Sequence, residues 1–199
     1  PQELCNLAWA FGRLALREEG TLEALGQAAT AKVRSFQPQD LAAVAHAFAK
    51  LEVEDDELLA AVAREAEAKI HGFEPQRLSN LAWAFATFRA RDAQLLEAVE
   101  AEAADKVAHF TLQGLANLAW AGVVLQFGEH RLLHKVSEAA VTAMRTCLPR
   151  SSSPSSLAEF ATAVFAVIWA VGFSGMLCED TVASARSALL AAGRRLDAA

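Results

Sequence analysis

Four ring-bearing side chains recur at one spacing and could provide stacking surfaces for nucleic-acid bases. They are Trp9, His46, Trp83 and Trp120, each 37 residues from the next (46 − 9 = 37). Rows of aromatic rings bind single-stranded RNA by stacking on successive bases. The same rings could instead pack against neighbouring helices, with each indole N–H reaching a partner. We favour packing, because the surrounding alanines let helices approach closely, whereas the histidine indicates that the position is partly exposed.

An asparagine precedes three of these rings by three residues and could form hydrogen bonds with base edges. The row is Asn6, Asn80 and Asn117, with Ala43 at the second position. Modular RNA-binding repeats use such side chains once per repeat to bind bases. The preferred alternative is a ladder in which each asparagine bonds the backbone of the neighbouring repeat.

Cationic side chains one helical turn after the ring positions could bind phosphate, but only the first two repeats carry them. Arg13 and Lys50 begin this row, and Thr87 and Val124 end it. The formal net charge of −6 argues against strong non-specific attraction to nucleic acid, which depends on lysine and arginine. The acidic run at residues 52–57 is interpreted as a solvated loop that could bind a basic partner.

Side chains that could support catalysis or bind a metal are few. His130 and His134 have the i, i+4 spacing of helical metal ligands, but no obvious third ligand accompanies them. No phosphate-binding glycine loop and no recognisable nucleophile–base arrangement occurs in the sequence. Three widely spaced cysteines, Cys5, Cys147 and Cys178, predict free thiols. We therefore expect a binding protein without metal or cofactor, and not an enzyme.

Amphipathic helices within units of constant length must position these rows. In the third unit, Leu78, Leu81, Ala82 and Phe85 form one apolar face of a first helix, which Pro75 begins. The equivalent face of the first unit is Leu4, Leu7, Ala8 and Phe11. A second helix follows Asp92, a predicted N-cap, and its acidic face, which includes Glu102, is expected to be solvated.

The 37-residue spacing predicts an all-α fold, a right-handed α-solenoid of about five helix-turn-helix repeats. Residues 1–146 contain four regular repeats. A Ser/Pro-rich linker is expected at residues 147–156, and a degenerate fifth repeat or cap at residues 157–199. We expect a capping box of Ser156 and Glu159 to begin the fifth repeat.

An uncharged run at residues 160–178 is long enough to span a membrane. A buried repeat helix is favoured instead, because Gly172, Ser174 and Gly175 lie where the repeat expects its inter-helix turn. Excess apolar surface there could dock a partner. The residues expected to do so are Phe165, Ile168, Trp169 and Phe173.

The recurring core AsnLeuAlaTrpAlaPhe, as at residues 80–85, and its 37-residue step resemble the heptatricopeptide repeats, relatives of the octotricopeptide repeats of organellar proteins. The resemblance implies an α-solenoid in a mitochondrion or plastid that binds organellar RNA, for example ribosomal RNA. It implies no catalytic residue. The alternative is a structural accessory subunit of a large organellar complex such as a ribosome, respiratory complex or photosystem. Since the chain starts at Pro1 within a repeat, we expect it to be a piece of a longer precursor.

Overall fold

The computed structural model describes residues 2–127, 131–146 and 153–197. These residues form ten α-helices and three short 3-10 helices, without a strand, which confirms the predicted all-α, helical-repeat fold. The first helices of the repeats are α1 (Gln2–Leu14), α3 (Pro38–Leu51), α5 (Pro75–Thr87), α7 (Leu112–Leu125) and α9 (Pro154–Phe173). The second helices are α2 (Glu19–Lys32), α4 (Asp56–Ala68), α6 (Ala93–Asp105), α8 (Arg131–Thr146) and α10 (Glu179–Leu196).

Local signals begin the helices where the sequence predicts them. Pro38 and Pro75 occupy the first turns of α3 and α5, where the missing backbone N–H costs no hydrogen bond. The Asp92 carboxylate accepts a hydrogen bond from the Leu95 N–H at 3.0 Å, which confirms the predicted N-cap. Asp55 makes the equivalent bond to Leu58 at 2.9 Å.

One backbone turn closes the first helix of every repeat. Ala15, Glu52, Arg89 and Gln126 all have φ between 52° and 55°, the left-handed region that glycine enters most readily. Gly175 has φ of 71° at the equivalent place in the last hairpin. The next N–H in each turn donates to a carbonyl five residues back, as in a Schellman motif. The turn therefore recurs even where the sequence offers no glycine.

A buried phenylalanine and a 3-10 helix join consecutive repeats. Phe36 and Phe73 are fully buried directly after 3-10 helices, and Phe110 is nearly so. The Lys69 ammonium donates to the carbonyl oxygens of Arg34 and Phe36, both at 2.9 Å. Lys69 thus satisfies backbone acceptors at the junction of the first and second repeats.

Residues 1–103 form one compact unit. Within it α3 packs between α1 and α5, and α2 packs on α4. The predicted apolar face of α5 is buried, as is that of α3, but Leu7 of α1 is 43% exposed, contrary to the predicted core face of the first unit. Glu102 was also predicted wrongly. It is only 7% exposed and accepts a hydrogen bond from the His71 Nδ1–H at 2.6 Å, so a specific partner accounts for its burial.

Residues 104–199 form the second unit. Here α7 packs against α8 and α9, and α10 lies on both α8 and α9. The Arg145 guanidinium donates to Ser184 at 3.0 Å and pairs with Asp180, joining α8 to α10.

Helix α9, the first helix of the last repeat, begins earlier than predicted. Ser153, and not Ser156, caps α9, because its hydroxyl accepts the Ser156 N–H and Pro154 occupies the first helical position. The expected Ser156–Glu159 capping box is therefore wrong, and residues 154–156 of the expected linker are helical. Residues 147–152 of that linker lie outside the described residues.

Helix α9 is long and apolar enough to cross a membrane by length and composition, and 39% of its most apolar window is buried in the structure. One face, which includes Phe160, Val164 and Val167, is buried within the second unit. Core helices of soluble proteins pass the same length and hydropathy criteria, so one such helix is weak evidence for a span.

Candidate nucleic-acid interface

One polar and aromatic stripe runs along α1, α3, α5 and α7. Its positions follow i, i+4, i+7 and i+11, which lie on one side of an α-helix. A glutamine and a ring occur in all four helices, an asparagine in three of them, and a cation only in α1 and α3. We call this the first-helix stripe; in α1 it consists of Gln2, Asn6, Trp9 and Arg13. The glutamines of this stripe were not among the predicted site residues, although they keep the 37-residue spacing. They are Gln2, Gln39, Gln76 and Gln113.

The stripe of α1 presents its ring to solvent. Trp9 is 54% exposed, and the Arg13 guanidinium carbon lies 5.2 Å from its ring centroid, a cation–π distance. A π-face and a positive charge are therefore adjacent on an accessible surface. This combination suits stacking of a base beside its phosphate.

In α3 and α5 the rings contact each other. The His46 and Trp83 centroids are 5.1 Å apart with an interplanar angle of 52°, and both side chains are partly buried. The rings thus join neighbouring repeats at the surface and are not wedged into the core. Trp120 of α7, in the other unit, is also partly buried.

His46 is neutral at physiological pH. Burial lowers its pKa to about 4, and the positive charges of Lys50 and Arg77 act in the same direction. The imidazole therefore presents a neutral ring among cations. Arg77, in the first turn of α5, adds a positive charge that the cationic row in the sequence did not include.

We expect the stability of the protein to fall in acid because of His46. The folded-state pKa near 4 lies below the unfolded value of about 6.5, so the unfolded chain binds the proton first. Stability is therefore complete above pH ~6.5 and decreases as the pH falls towards ~4, by up to about 3 kcal/mol. His46→Gln should flatten this part of a urea-denaturation profile. His134→Gln, which removes an imidazole 70% exposed to solvent, is the matched control. A His46→Gln profile parallel to the wild-type profile would contradict the assignment.

The asparagine row does not bond to neighbouring repeats in the described part of the chain. The Gln113 amide donates to the Asn117 Oδ1 of its own helix at 3.0 Å. Asn6 is exposed, and Asn80 and Asn117 are partly exposed. The amides therefore remain accessible beside the rings, as binding to base edges requires.

An open groove lies between the N-terminal ends of α3 and α5. Its volume is about 660 Å³, and its lining includes Gln39, Lys69, His71 and Arg77. Lys69 is held by the backbone carbonyls described above, whereas the charge of Arg77 acts on His46 of the stripe. The groove thus extends the polar surface of the stripe within the first unit.

Part of the acidic run has structural partners. Glu52 pairs with Arg17 at 2.9 Å, and Asp55 caps α4. After Lys50 of α3 the cationic row gives way to Thr87 in α5, whose hydroxyl donates to the Trp83 carbonyl, and to Val124 in α7. Positive charge on the stripe is therefore concentrated in the first unit.

The other candidate chemistry has little structural support. No group of three or more metal-ligating side chains occurs within the residues that the structure describes. His134 lies 3.7 Å from Glu138, and His130 is outside the described residues, as is Cys147. Cys5 and Cys178 are free; burial raises the pKa of the Cys5 thiol to about 12, which makes it unreactive.

The predicted apolar docking residues lie on an exposed surface of the second unit. Phe165, Trp169 and Phe173 are 61%, 48% and 72% exposed, and the last two rings stack with centroids 5.5 Å apart. Ile168 is half-buried beside them. A surface of this kind is typical of a protein contact.

Comparison with known proteins identifies one family. The family model described as RNA-editing substrate-binding complex 6 protein matches residues 2–149, about three quarters of the chain. No curated protein matches the chain significantly. The matched residues contain the first-helix stripes of α1, α3, α5 and α7.

Proposed function

Because the chain belongs to the family of RNA-editing substrate-binding complex 6 proteins, we propose that it is a non-catalytic helical-repeat scaffold that binds RNA within an RNA-editing complex. The family description names substrate binding, not a catalytic step. This family is RNA-associated and helical, which agrees with the general expectation from the resemblance to organellar repeat proteins, namely a helical-repeat protein that binds RNA. The narrower assignment to heptatricopeptide repeats, and the organelle, mitochondrion or plastid, remain predictions.

The observation that carries the proposal is the first-helix stripe of the first unit. It combines an exposed indole under a guanidinium, a neutral imidazole against a second indole, and accessible amides. Single-stranded RNA exposes base faces for stacking and base edges for hydrogen bonds, which a duplex largely hides. The stripe therefore favours unpaired RNA.

The distribution of charge sets the expected strength of binding. The whole chain carries −6, so phosphate attraction must come from the local cations Arg13, Lys50 and Arg77. Three phosphate contacts on a single strand give a slope of about −2 in log affinity against log salt concentration. The affinity is thus expected to be moderate and salt-dependent.

We expect an unstructured, fluorescently labelled oligonucleotide of about 20 nucleotides to bind with that slope, since several stacking sites span such a length. Fluorescence anisotropy over a range of salt concentrations measures it. A duplex of the same length and label is the control and should bind more weakly. Negligible binding at low salt, or equal binding of both RNAs, would overturn the proposal.

A second candidate function is a protein–protein scaffold, a structural accessory subunit of a larger assembly. The exposed rings Phe165, Trp169 and Phe173 favour it. The two functions use different surfaces, since the stripe residues that carry RNA binding lie in the first unit and these rings in the second. A scaffold that serves only proteins would leave the chain without RNA affinity.

A further inference from the structure

The charge at the two ends of the first helices changes between the second and third repeats. The position directly after the stripe glutamine lies in the first helical turn and holds, in successive repeats, Glu3, Asp40, Arg77 and Gly114. The position of the cationic row lies at the other end of the helix and holds Arg13, Lys50, Thr87 and Val124. The first two repeats thus have an acid at the N-terminal end and a cation at the C-terminal end, whereas the third has its cation at the N-terminal end.

Helix stability does not explain Arg77. In α3 the equivalent Asp40 completes a capping box, in which its carboxylate accepts a hydrogen bond from the Gln37 N–H at 3.0 Å. In α5 the Glu74 side chain makes no capping hydrogen bond, and a positive charge in the first turn is unfavourable beside the helix macrodipole. Among the residues that the structure describes, none forms a hydrogen bond or an ion pair with the Arg77 guanidinium. Its charge is therefore available to a ligand.

Arg77 lines the groove between the N-terminal ends of α3 and α5. The groove measures about 660 Å³, within the range of small-ligand sites, and its lining belongs entirely to the first unit. Lys69 and His71 also line it, and His71 is held by its 2.6 Å hydrogen bond to the buried Glu102 carboxylate. Lys69 and Arg77 outnumber the acid of the lining, Glu74. The groove is thus positively charged and large enough for a phosphodiester group.

The contacting rings of α3 and α5 lie between the two cationic ends. Those ends are ten residues apart along a first helix, about 15 Å, and the ring position lies between them. The His46 and Trp83 centroids are 5.1 Å apart, so the two rings form one aromatic surface across neighbouring repeats. Lys50 and Arg77 both act electrostatically on His46, which places both charges near this ring pair. A base that stacks on the pair therefore has a cation within reach at either end.

We propose that single-stranded RNA crosses from the C-terminal to the N-terminal end of the first helices at the His46–Trp83 pair, and that the groove binds a phosphodiester of its backbone. This path rests on the RNA-binding function proposed above and adds the course of the strand. Backbone phosphates lie along Arg13 and Lys50 in the first two repeats and then at Arg77. One base stacks on the ring pair, where the backbone passes from one end of the helices to the other.

Neutralising Arg77 tests the phosphate contact. Arg77→Gln should weaken binding by about 5- to 10-fold at low salt and make the salt slope less negative by about 0.7. Anisotropy with an unstructured RNA that carries a 5′-hydroxyl measures both, because only backbone phosphates can then bind. Arg64→Gln, an equal charge change at an exposed residue of α4 outside the groove, is the control and should stay within about 2-fold of the wild type. Equal losses in the two variants, or an unchanged slope in Arg77→Gln, would overturn the contact.

Moving the charge tests the path. Thr87→Arg added to Arg77→Gln restores the net charge but places the cation at the end where Arg13 and Lys50 carry theirs. If the strand crosses, this double variant should keep the weaker binding, because the groove still lacks its arginine. Full recovery of the wild-type affinity and salt slope would show that the strand continues along the cationic row, and the crossing would then be wrong.

Adding a carboxylate tests the groove without altering Arg77. Gln39 lines the groove from the first turn of α3, where an acid is compatible with the helix. Gln39→Glu should weaken binding by about 10-fold at low salt, because it repels the bound phosphate. The matched control is Gln27→Glu, at an exposed residue of α2, which should bind like the wild type.

Circular dichroism and the melting temperature establish that each variant is folded. Equal binding by Gln39→Glu and Gln27→Glu, with RNA affinity retained, would overturn the groove and leave the proposed RNA-binding function intact. A wild type that binds no RNA would overturn both.

Discussion

Reversing two charges on the first-helix stripe should lower RNA affinity by on the order of 100-fold at low salt. Arg13→Glu with Lys50→Glu removes two phosphate contacts and places two carboxylates beside the bound strand. Each contact contributes about −0.7 to the salt slope on a single strand, so the slope should become less negative by about 1.4. Loss of Arg13 also removes the cation beside the Trp9 ring. Anisotropy titrations at several salt concentrations measure both effects.

The same charge change on second helices provides the matched control. Lys32 and Arg64 are exposed on α2 and α4, away from the stripe, and their replacement by glutamate changes the net charge equally. This control double variant should lose affinity only through the long-range field, which salt screens. Equal losses in both double variants would show that RNA does not bind at the stripe.

Phe73→Ala should lower the free energy of unfolding by about 4 kcal/mol. Phe73 is fully buried at the junction between the second and third repeats, and large-to-small changes at such positions leave a cavity. Repeat arrays are stabilised mainly by contacts between neighbours, so a cavity at a junction weakens the coupling as well. Urea denaturation followed by circular dichroism measures the loss, and a broadened transition would report the uncoupling.

Phe165→Ala is the matched control, because it deletes the same side chain at a position that is 61% exposed. Its effect should lie within about 0.5 kcal/mol. If both alanine variants lost the same stability, the burial assigned to Phe73 would be wrong.

The helices were predictable because their signals are local. First-turn prolines, aspartate caps and the 3.6-residue apolar period act over a few residues and repeat at 37. The left-handed backbone conformation of Ala15, Glu52, Arg89 and Gln126 was not recognisable, because residues other than glycine occupy these positions. There the closing hydrogen bonds and the packed hairpin hold a conformation that the residue type does not favour.

The candidate site was predicted in part. The ring, asparagine and cation rows follow from periodicity, and the glutamine row could have been found by the same comparison. Arg77 could not, because it belongs to the site only through the approach of α5 to His46. The partial burial that makes His46 neutral likewise depends on Trp83 of the neighbouring repeat.

By itself the sequence determined the repeat length, the helical class and the rows of side chains, since all three follow from spacing along one chain. Tertiary structure alone decided which equivalent residues are buried. Leu7 and Val44 occupy the same repeat position, yet Leu7 is 43% exposed whereas Val44 is fully buried in α3, which packs between α1 and α5. The sequence predicted that Glu102 is solvated, whereas in the structure it is hydrogen-bonded to His71. Burial and charge state depend on what lies across a contact, and periodicity does not contain that information.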